Sequence, residues 1–495
     1  MEKSGLIALV FMGWMGVACA LAQSNPHSSA ADPYYGSVQA VAATPGVRKL
    51  SLDEAVDLGV ENNLALTLAR QNQKVAQAQA SQTLNVLLPN VDLQGSTGLH
   101  QYNLEAEGFR PGLLSSFGAL IPPSMAANFP FLVKVDVTQG QANLSQELFN
   151  WAGWDLYRAR KSGAKAAYYS AQSSRGLVIL NVGTIYLQIL ADGAQLNYAN
   201  ALVKTDETLL YQAVEEHKAG TAANLDELRA RVQFQTQQQA VINAENTLEK
   251  DEITLKREIG MALDQKIQLT DAIPFADLAA MSIEEAKQEA FANRQDYQNL
   301  LQQVQMAQLE RKAAVHQRIP TLSFSGNYGV TGITGGPFHG TFAAVGSLNI
   351  PIFQEAKFRG DRDVAEAQLD NYRSQLADLR SKIDQQLRDS LLDLQTASDL
   401  VRVARSNVDL STTELQQTTD RFQAGVDDNL PVVQAQSTLA ESQSKYVDSV
   451  RQFNQAKLSL ARNLGVMDTQ YKTYLQGGTP SQIKSKQADQ PQGGR

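Results

Sequence analysis

The amino-acid sequence predicts a mainly α protein with a β-barrel portion, built as a tandem duplication of long coiled-coil helices and four strands. Three observations carry this prediction. A glycine turn at Gly220 recurs at Gly425, 205 residues later, each time between two long helical patterns. Large apolar residues recur every seven positions along those patterns. Each half of the chain also holds two stretches in which apolar and polar residues alternate.

The composition narrows the range of functions. Hydrophobic residues make up 43% of the 495 residues, and the formal net charge is −8. No basic block stands out, which argues against nucleic acid as a partner. The only cysteine is Cys19, so an intrachain disulfide and a thiolate metal cluster are both excluded.

Residues 1–22 have the pattern of a secretory signal peptide. Lys3 supplies a positive charge, residues 6–18 form an apolar run, and a small-residue cleavage site ends at Ala22. Alternatively, Cys19 becomes a lipidated N-terminus, but Gly16 stands where such signals usually carry Leu, so ordinary cleavage is favoured. In both cases the protein leaves the cytoplasm. Residues 23–49, rich in Ser, Ala, Pro and Gly, predict a flexible arm.

The two repeats are predicted over residues 50–263 and 281–466. Each opens with a helical block, and Ser51 is predicted as the N-cap of the first because acidic residues follow it. The block returns at a constant offset of 231 residues, at which Pro320 matches Pro89. An offset that holds over nearly forty residues indicates a duplication.

After each of these prolines the apolar period changes from helical to two, which predicts strand hairpins over 91–142 and 321–350. Strands of roughly ten residues fit a transmembrane barrel, whereas no apolar run after Ala22 approaches the roughly 20 residues of a spanning helix. Four strands cannot close a barrel, so several chains would have to share one. The alternative is a pair of surface hairpins on a soluble core. Residues 103–130 form a long insert in the first hairpin.

The long helical patterns predict coiled-coil packing in which large and small residues alternate along the seam. The same register lies 205 residues earlier, in the first repeat. In the second repeat, the small seam residues of the outgoing and returning helices are Ser390, Ala397, Ala404, Ser411, Thr418, Ala435, Ser442, Ser449 and Ala456.

The remaining segments carry no sign of catalysis. Residues 264–280 form a short connector, and the polar tail 467–495 is predicted to be disordered. The five histidines have no metal-ligand spacing, and no glycine run has the form of a phosphate cradle. We therefore predict no catalytic, cofactor-binding or metal-binding residues, and we expect passage and docking without covalent chemistry.

In this order, and duplicated, the elements resemble the outer-membrane efflux protein family, the TolC-like channels. The resemblance covers about residues 50–466. Each motif is weak alone, but together they are specific: Leu52-Asp-Glu-Ala, Leu88-Pro89, Leu148-Phe149-Asn-Trp with its counterpart Pro351-Ile-Phe353, and the tips at 217–226 and 422–431.

The resemblance implies a homotrimer in the outer membrane of a Gram-negative-type cell. Three chains would close a 12-stranded β-barrel in the lipid, continued by a periplasmic α-helical barrel. The channel would be the passive exit duct of a tripartite efflux or type I secretion system. A periplasmic adaptor protein, linked to an inner-membrane pump, would dock at the tips. The docking residues carried over are Gly220, Thr221, Ala222, Gly425, Val426 and Asp427.

The tip departs from the family in the residues that close the entrance. The resemblance implies an aromatic hydroxyl, a basic residue and acidic rings, but Phe422 has no hydroxyl and Asp427 is acidic. Pro431 and Gln434 occupy two positions that the resemblance implies to be acidic, whereas Asp226 keeps its carboxylate. We therefore expect a different closure, and weak cation block unless Asp427 and its neighbour form a substitute ring. The gating candidates are Asp226, Phe422, Asp427 and Asp428.

A non-channel coiled-coil structural protein of the periplasm or cell surface is the alternative, because the heptads alone would serve it. The strand hairpins discriminate between the two hypotheses, since a fibrous protein has no use for four alternating segments that begin at matched prolines.

Overall fold

The computed structural model describes residues 36–37, 43–106, 132–221, 223–271, 275–278, 281–426 and 430–476. The predicted signal peptide, most of the insert 103–130 and the tail after residue 476 lie outside the described residues. Three predicted site residues, Ala222, Asp427 and Asp428, lie outside them as well.

The first repeat opens with a helix that is capped as the sequence predicts. The Ser51 hydroxyl accepts a hydrogen bond from the Glu54 N–H, which confirms the predicted N-cap. The block is not one helix, however, because Asn63 adopts an extended conformation and its side chain accepts from the Leu66 N–H at 3.2 Å. The elements of this repeat are β1 (Arg48–Leu50), α1 (Leu52–Asn62), α2 (Leu64–Asn85), β2 (Asn90–Asn103), β3 (Leu132–Phe149), α3 (Trp151–Lys218) and α4 (Asn224–Glu258).

The second repeat matches the first helix by helix. Its two short helices have 11 and 22 residues, as α1 and α2 do. Ser282 forms a reciprocal capping box with Glu285. The elements are β4 (Ile267–Leu269) in the connector, then α5 (Ile283–Asn293), α6 (Gln295–His316), β5 (Thr321–Ile333), β6 (Phe338–Asn349), α7 (Glu355–Gln423), α8 (Leu430–Asn463) and α9 (Met467–Leu475).

The long helices form two hairpins of nearly equal size. Helices α3 and α4 have 68 and 35 residues, and α7 and α8 have 69 and 34. In the second hairpin, Ala397 and Val401 of α7 pack with Val450 and Phe453 of α8. Ala397 is a predicted small seam residue, and Ala456, another one, packs against this cluster.

Helix α3 differs from expectation in one respect. Among the described residues, it is the helix with a stretch long and apolar enough to cross a membrane by length and composition, although the sequence predicted none. Val178, Val182 and Tyr186 of this helix are buried within the chain. Their apolarity is explained by packing in a protein core, so the stretch is weak evidence of a membrane span.

Strands from both repeats form one antiparallel sheet in the order β2-β3-β5-β6. Strand β3 of the first repeat pairs directly with β5 of the second. The strands have 14, 18, 13 and 12 residues, so the predicted length of about ten was too short. The backbone pairing continues past the alternating apolar pattern, for example to Asn103 of β2 and Thr331 of β5.

Two segments predicted from composition to be unstructured are partly ordered. Part of the arm is ordered, because β1 pairs in parallel with β4 of the connector, and the Thr44 N–H donates to Gln265 Oε1 at 2.7 Å. The tail prediction failed at its start, since Met467–Leu475 form helix α9 with Tyr474 buried. Short polar segments of this kind are ordered by tertiary contacts that composition does not encode.

The described chain divides into two compact units. One combines the described residues of Met1–Gln73, Ala166–Leu300 and Gln375–Arg495, and it holds the small parallel sheet and both helix tips. The other combines Lys74–Lys165 and Leu301–Ser374 and holds the four-stranded sheet. Each unit draws on both repeats.

Candidate functional site: a two-faced sheet and two helix tips

One face of the four-stranded sheet is mainly apolar and exposed, except for polar residues of β2 and β3 such as Thr97, Lys134, Asp136 and Thr138. Leu93, Ala142, Tyr328 and Phe342 lie side by side in one row across all four strands. Leu93 is 85%, Tyr328 72% and Phe342 80% exposed. By the same register, further apolar residues on this face are Val91, Leu99, Leu144, Phe324, Val330 and Leu348. An exposed apolar patch of this size marks a surface that another phase or molecule covers.

The opposite face of the sheet is polar and internally hydrogen-bonded. Asn143 Nδ2 donates to Asp92 Oδ2 at 2.8 Å, and Gln139 Nε2 donates to Ser96 Oγ at 2.9 Å. Across the junction of the repeats, Asn327 donates to Gln141 at 3.0 Å. The sheet can therefore separate an apolar from an aqueous environment, as the strands of a membrane barrel do.

The alternation predicted within β3 holds, but its valines lie on the polar face. Val133, Val135 and Val137 pair opposite Tyr102, His100 and Gly98 of β2, and not in the rows of Leu93. Alternation within one strand does not show on which face of the sheet its apolar residues lie, because that depends on the pairing register. The valines are half-buried.

Both outer strands of the sheet have an open edge. Among the described residues, β2 pairs only with β3, and β6 pairs only with β5. The outward N–H and C=O groups of Asn90–Asn103 and Phe338–Asn349 are thus available to strands from elsewhere.

Aromatic residues cluster where strands β3 and β6 lead into helices. The Phe149 and Trp151 rings lie 5.9 Å apart, and Trp154 lies 5.7 Å from Tyr157, measured between centroids. Trp151 and Trp154 are about half exposed, and Phe353 after β6 is 93% exposed. Aromatic residues of this kind favour the boundary between lipid and water. The resemblance motif contained Phe149 and Trp151, but the cluster itself was missed, although three aromatic residues within six positions of a strand end were a signal.

A close contact between His316 and Asp155 lies at the same junction. His316 Nδ1 lies 2.6 Å from Asp155 Oδ2, and the Trp151 ring contacts the His316 ring edge-on at 6.4 Å. Asp155 is almost fully buried at the start of α3, whereas His316 ends α6. The pair therefore holds elements of the two repeats together. Groups of three or more metal-binding side chains are not found among the described residues.

Both helix tips end in the same glycine motif. At the first tip, Gly220 has φ +76°, its N–H donates to the His217 carbonyl at 3.0 Å, and the Thr221 N–H donates to the Glu216 carbonyl at 3.0 Å. At the second, Gly425 has φ +71°, with matching bonds to Phe422 at 2.9 Å and from Val426 to Arg421 at 3.0 Å. These are Schellman caps, and they require the positive φ that glycine adopts freely.

The tip residues differ in exposure. Gly220, Thr221 and Gly425 are exposed, and so is Val426, an apolar side chain at the surface. Phe422 is half-buried. Asp226 lies in the first turn of α4, 3.5 Å from Arg229 Nη1. The structure thus places the described tip residues at the ends of the long helices, and their docking and gating roles stay predictions.

A family model described as outer membrane efflux protein matches residues 56–261 and 286–466, which is well over half of the chain. The chain belongs to the outer membrane efflux protein family. This efflux protein is 20% identical over 363 residues to the outer membrane protein TolC of Escherichia coli, covering 68% of this chain and 71% of that protein. It is 23% identical over 425 residues to the pyoverdine export outer membrane protein OpmQ of Pseudomonas putida, covering 84% and 85%.

Solved structures show the same fold for this efflux protein. The Campylobacter jejuni CmeC outer membrane channel superposes with a TM-score of 0.69 at 18% identity, covering 87% of this chain and 90% of that one. The Neisseria gonorrhoeae MtrE channel in its open state gives a TM-score of 0.67 at 18% identity, covering 86% and 89%. The family resemblance seen in the sequence is confirmed, and with it the location in the outer membrane.

Proposed function

We propose that this efflux protein is the outer-membrane exit channel of a tripartite efflux or type I secretion system. It acts as a homotrimer and passes its substrate passively from the periplasm to the outside. The observation that carries the proposal is the sheet with one apolar and one polar face and two open edges.

The open edges require further strands once the sheet is in lipid. A bilayer core offers no water to unpaired N–H and C=O groups, so only closed barrels and helices span it. Strand β2 of one copy can pair with β6 of the next, and repetition around an axis closes the barrel. Three copies supply 12 strands from the four in each chain. The number three rests on the family resemblance, and the barrel requirement alone supports more than one copy.

The two tips suit docking of an adaptor protein. Their Schellman caps are held by backbone hydrogen bonds, and Thr221 and Val426 present a polar and an apolar side chain at equivalent, exposed positions. The pair of caps therefore offers six related contact points in a trimer. Cysteine introduced at either position is expected to cross-link to the adaptor in intact cells, whereas cysteine at the exposed Leu392 of α7 is not.

In the proposed system, the pump and the adaptor select the substrate more than the channel does. Two of the relatives are named for pyoverdine export and toluene efflux, which are properties of those proteins. The proposal covers both efflux of small molecules and secretion of protein. A purely structural coiled-coil protein, the alternative, does not need an exposed apolar sheet face.

Tryptophan fluorescence tests the membrane placement directly. Of the three tryptophans, Trp14 lies in the predicted signal peptide, so Trp151 and Trp154 provide all the signal of the mature protein. We expect quenching in vesicles of phosphatidylcholine brominated near the headgroup, and weaker quenching when the bromine lies near the acyl-chain end. Trp151→Phe and Trp154→Phe separate the two contributions. Quenching by neither lipid, together with release of the protein from membranes without detergent, would overturn the proposal.

A further inference from the structure

The two helical hairpins carry residues of different charge at equivalent positions of their seams. In the second hairpin, Ala456 of α8 packs against the cluster that contains Ala397 of α7, and Ser411 Oγ is hydrogen-bonded to Ser442 Oγ at 2.9 Å. These are small seam residues of the predicted heptads, and none of them carries a charge.

The first hairpin carries acids at the equivalent positions. Subtracting 205 from Ala397 and Ala456 gives Asp192 and Asp251, and subtracting it from Ser411 gives Asp206. Asp192 and Asp206 are buried, at 9% and 3% exposure. Since the duplication, the two seams have therefore diverged, and one carries three carboxyl groups where the other is neutral.

The surroundings of Asp192 favour one shared proton. Its Oδ1 accepts from Gln188 Nε2 at 2.9 Å, and its carboxyl group is placed to hydrogen-bond with that of Asp251 on α4 when one of them is protonated. Two ionised carboxylates within hydrogen-bonding distance of each other repel. The cation that faces the pair is Arg451 of α8, which is itself ion-paired with Asp448.

Asp206 has even less to stabilise its charge. Gln233 of α4 is the polar group that acts on it, yet neither carboxylate oxygen has a hydrogen bond of good geometry among the described residues. Among the described residues, no charged side chain contributes to the shift in the pKa of Asp206. An isolated buried carboxylate is costly, and the neutral acid costs far less.

We propose that the α3–α4 seam is a proton-binding site, in which Asp192, Asp251 and Asp206 close the first hairpin in acid and loosen it as the pH rises. The second hairpin, with its neutral seam, does not respond. The proposal concerns the hairpin itself and does not depend on the channel function.

The pH range follows from burial. Desolvation raises the pKa of Asp192 to about 6, with a further contribution from Asp251, and desolvation raises the pKa of Asp206 to about 6. The ordinary pKa is 3.8, so the closed seam holds protons that the opened seam releases between these values. The folded seam then binds more protons than the open one, and its stability falls as the pH rises through about 6.

Hydrogen–deuterium exchange of the full chain in detergent tests the proposal at pH 5 and pH 8. The exchange times are scaled to correct for the pH dependence of the intrinsic amide exchange rate. We expect amides around Asp192, Asp206 and Asp251 to exchange about tenfold faster at pH 8, after allowing for solvent screening of the full pKa difference. Amides around Ala397 and Ser411, which occupy the same heptad positions, serve as the internal reference and should not change.

Substitution assigns the effect to the acids. In the triple variant Asp192→Asn, Asp206→Asn and Asp251→Asn, the seam is permanently neutral, so protection should be high and equal at both pH values. Equal pH responses of the two hairpins in the wild type would overturn the proposal, and so would a wild-type response that survives in this variant. If the triple variant does not fold, the wild-type comparison of the two hairpins decides alone.

Discussion

At the scale of single residues, the tips depend on two glycines that adopt positive φ. Gly220 and Gly425 have φ of +76° and +71°, a conformation that L residues with a Cβ disfavour. A Cβ at Gly425 would meet no atom within 4 Å, so the cost of a side chain there is conformational and not steric. Position 425 can therefore be tested by alanine.

We predict that Gly425→Ala lowers the free energy of unfolding of the helical part by about 1 kcal/mol, because the residue must keep its left-handed conformation. Gly360 is the matched control, since it lies inside the same helix α7 and also has open space around it. Gly360→Ala should raise stability by about 0.5–1 kcal/mol. Urea unfolding followed by circular dichroism measures both, and equal effects in the same direction would contradict the cap.

Lys457 is a second residue whose environment leads to a prediction. Its side chain is fully buried, and its ammonium group donates to the carbonyls of Ala276 and Leu475 and lies 4.3 Å from the centroid of the Phe453 ring. Burial lowers its pKa to about 8 from an ordinary 10.5. The folded protein therefore loses this proton at a lower pH than the unfolded chain does.

We predict that this lysine makes stability rise between pH 8 and about 10.5, since the unfolded state binds the extra proton in that range. Lys457→Met should remove the rise. Lys445→Met, on the same helix but at an exposed ion pair with Glu441, should leave it intact. Unfolding midpoints measured across this pH range check the prediction, and an unchanged rise in the Lys457 variant would show it to be wrong.

Residue-level prediction from sequence succeeded where the chemistry is local. Ser51 and the tip glycines could be predicted because capping depends on neighbours in the chain. Lys457, Asp206 and the Asp155–His316 contact could not, because their partners or their burial come from distant helices. The docking and gating roles of the tip residues belong to the same class, since they depend on molecules outside the chain.

At the scale of elements, the joint between the repeats is the pairing of β3 with β5. The strands approach closely at Gly329, where a Cβ would clash with the carbonyl of Gly140 and lie 2.6 Å from the Cα of Gln141. Both obstacles are backbone atoms, which cannot rotate away. Glycine at 329 thus allows the two repeats to form one sheet.

We predict that Gly329→Ala separates β3 from β5 and reduces the yield of folded protein by several-fold, because backbone must move to admit the methyl group. Gly346 of β6 is the matched control, since a Cβ at that position would meet no atom within 4 Å. Gly346→Ala should leave the yield unchanged. Gel mobility of unheated samples measures the folded fraction, and equal yields of the two variants would contradict the prediction.

Elements were easier to predict in kind than in extent. The seven-residue and two-residue periods identified the long helices and the strands, since both are repeated many times. The break at Asn63, the full length of β3 and helix α9 were missed. Each depends on a side-chain cap, on a neighbouring strand or on a tertiary contact, and none of these produces a period.

At the scale of the whole molecule, the duplication was visible in the sequence but the compact units were not. Constant offsets showed that the chain repeats itself. The four-stranded sheet, however, takes two strands from each repeat, and each compact unit combines segments of both. A contact between β3 and β5 joins residues almost two hundred positions apart, and no local pattern indicates it.

The proposed channel requires that several chains share one barrel. The apolar face and the open edges of β2 and β6 are satisfied only when further copies complete the sheet in lipid. A single chain, by contrast, would leave two rows of backbone groups unpaired in the membrane.

Light scattering of the protein extracted from outer membranes in mild detergent, with the detergent mass subtracted, counts the chains in the particle. We expect three chains, each slightly lighter than the 53.9 kDa of the full sequence if the predicted signal peptide is removed. A particle of one chain, stable in detergent and still carrying the folded sheet, would contradict the shared barrel.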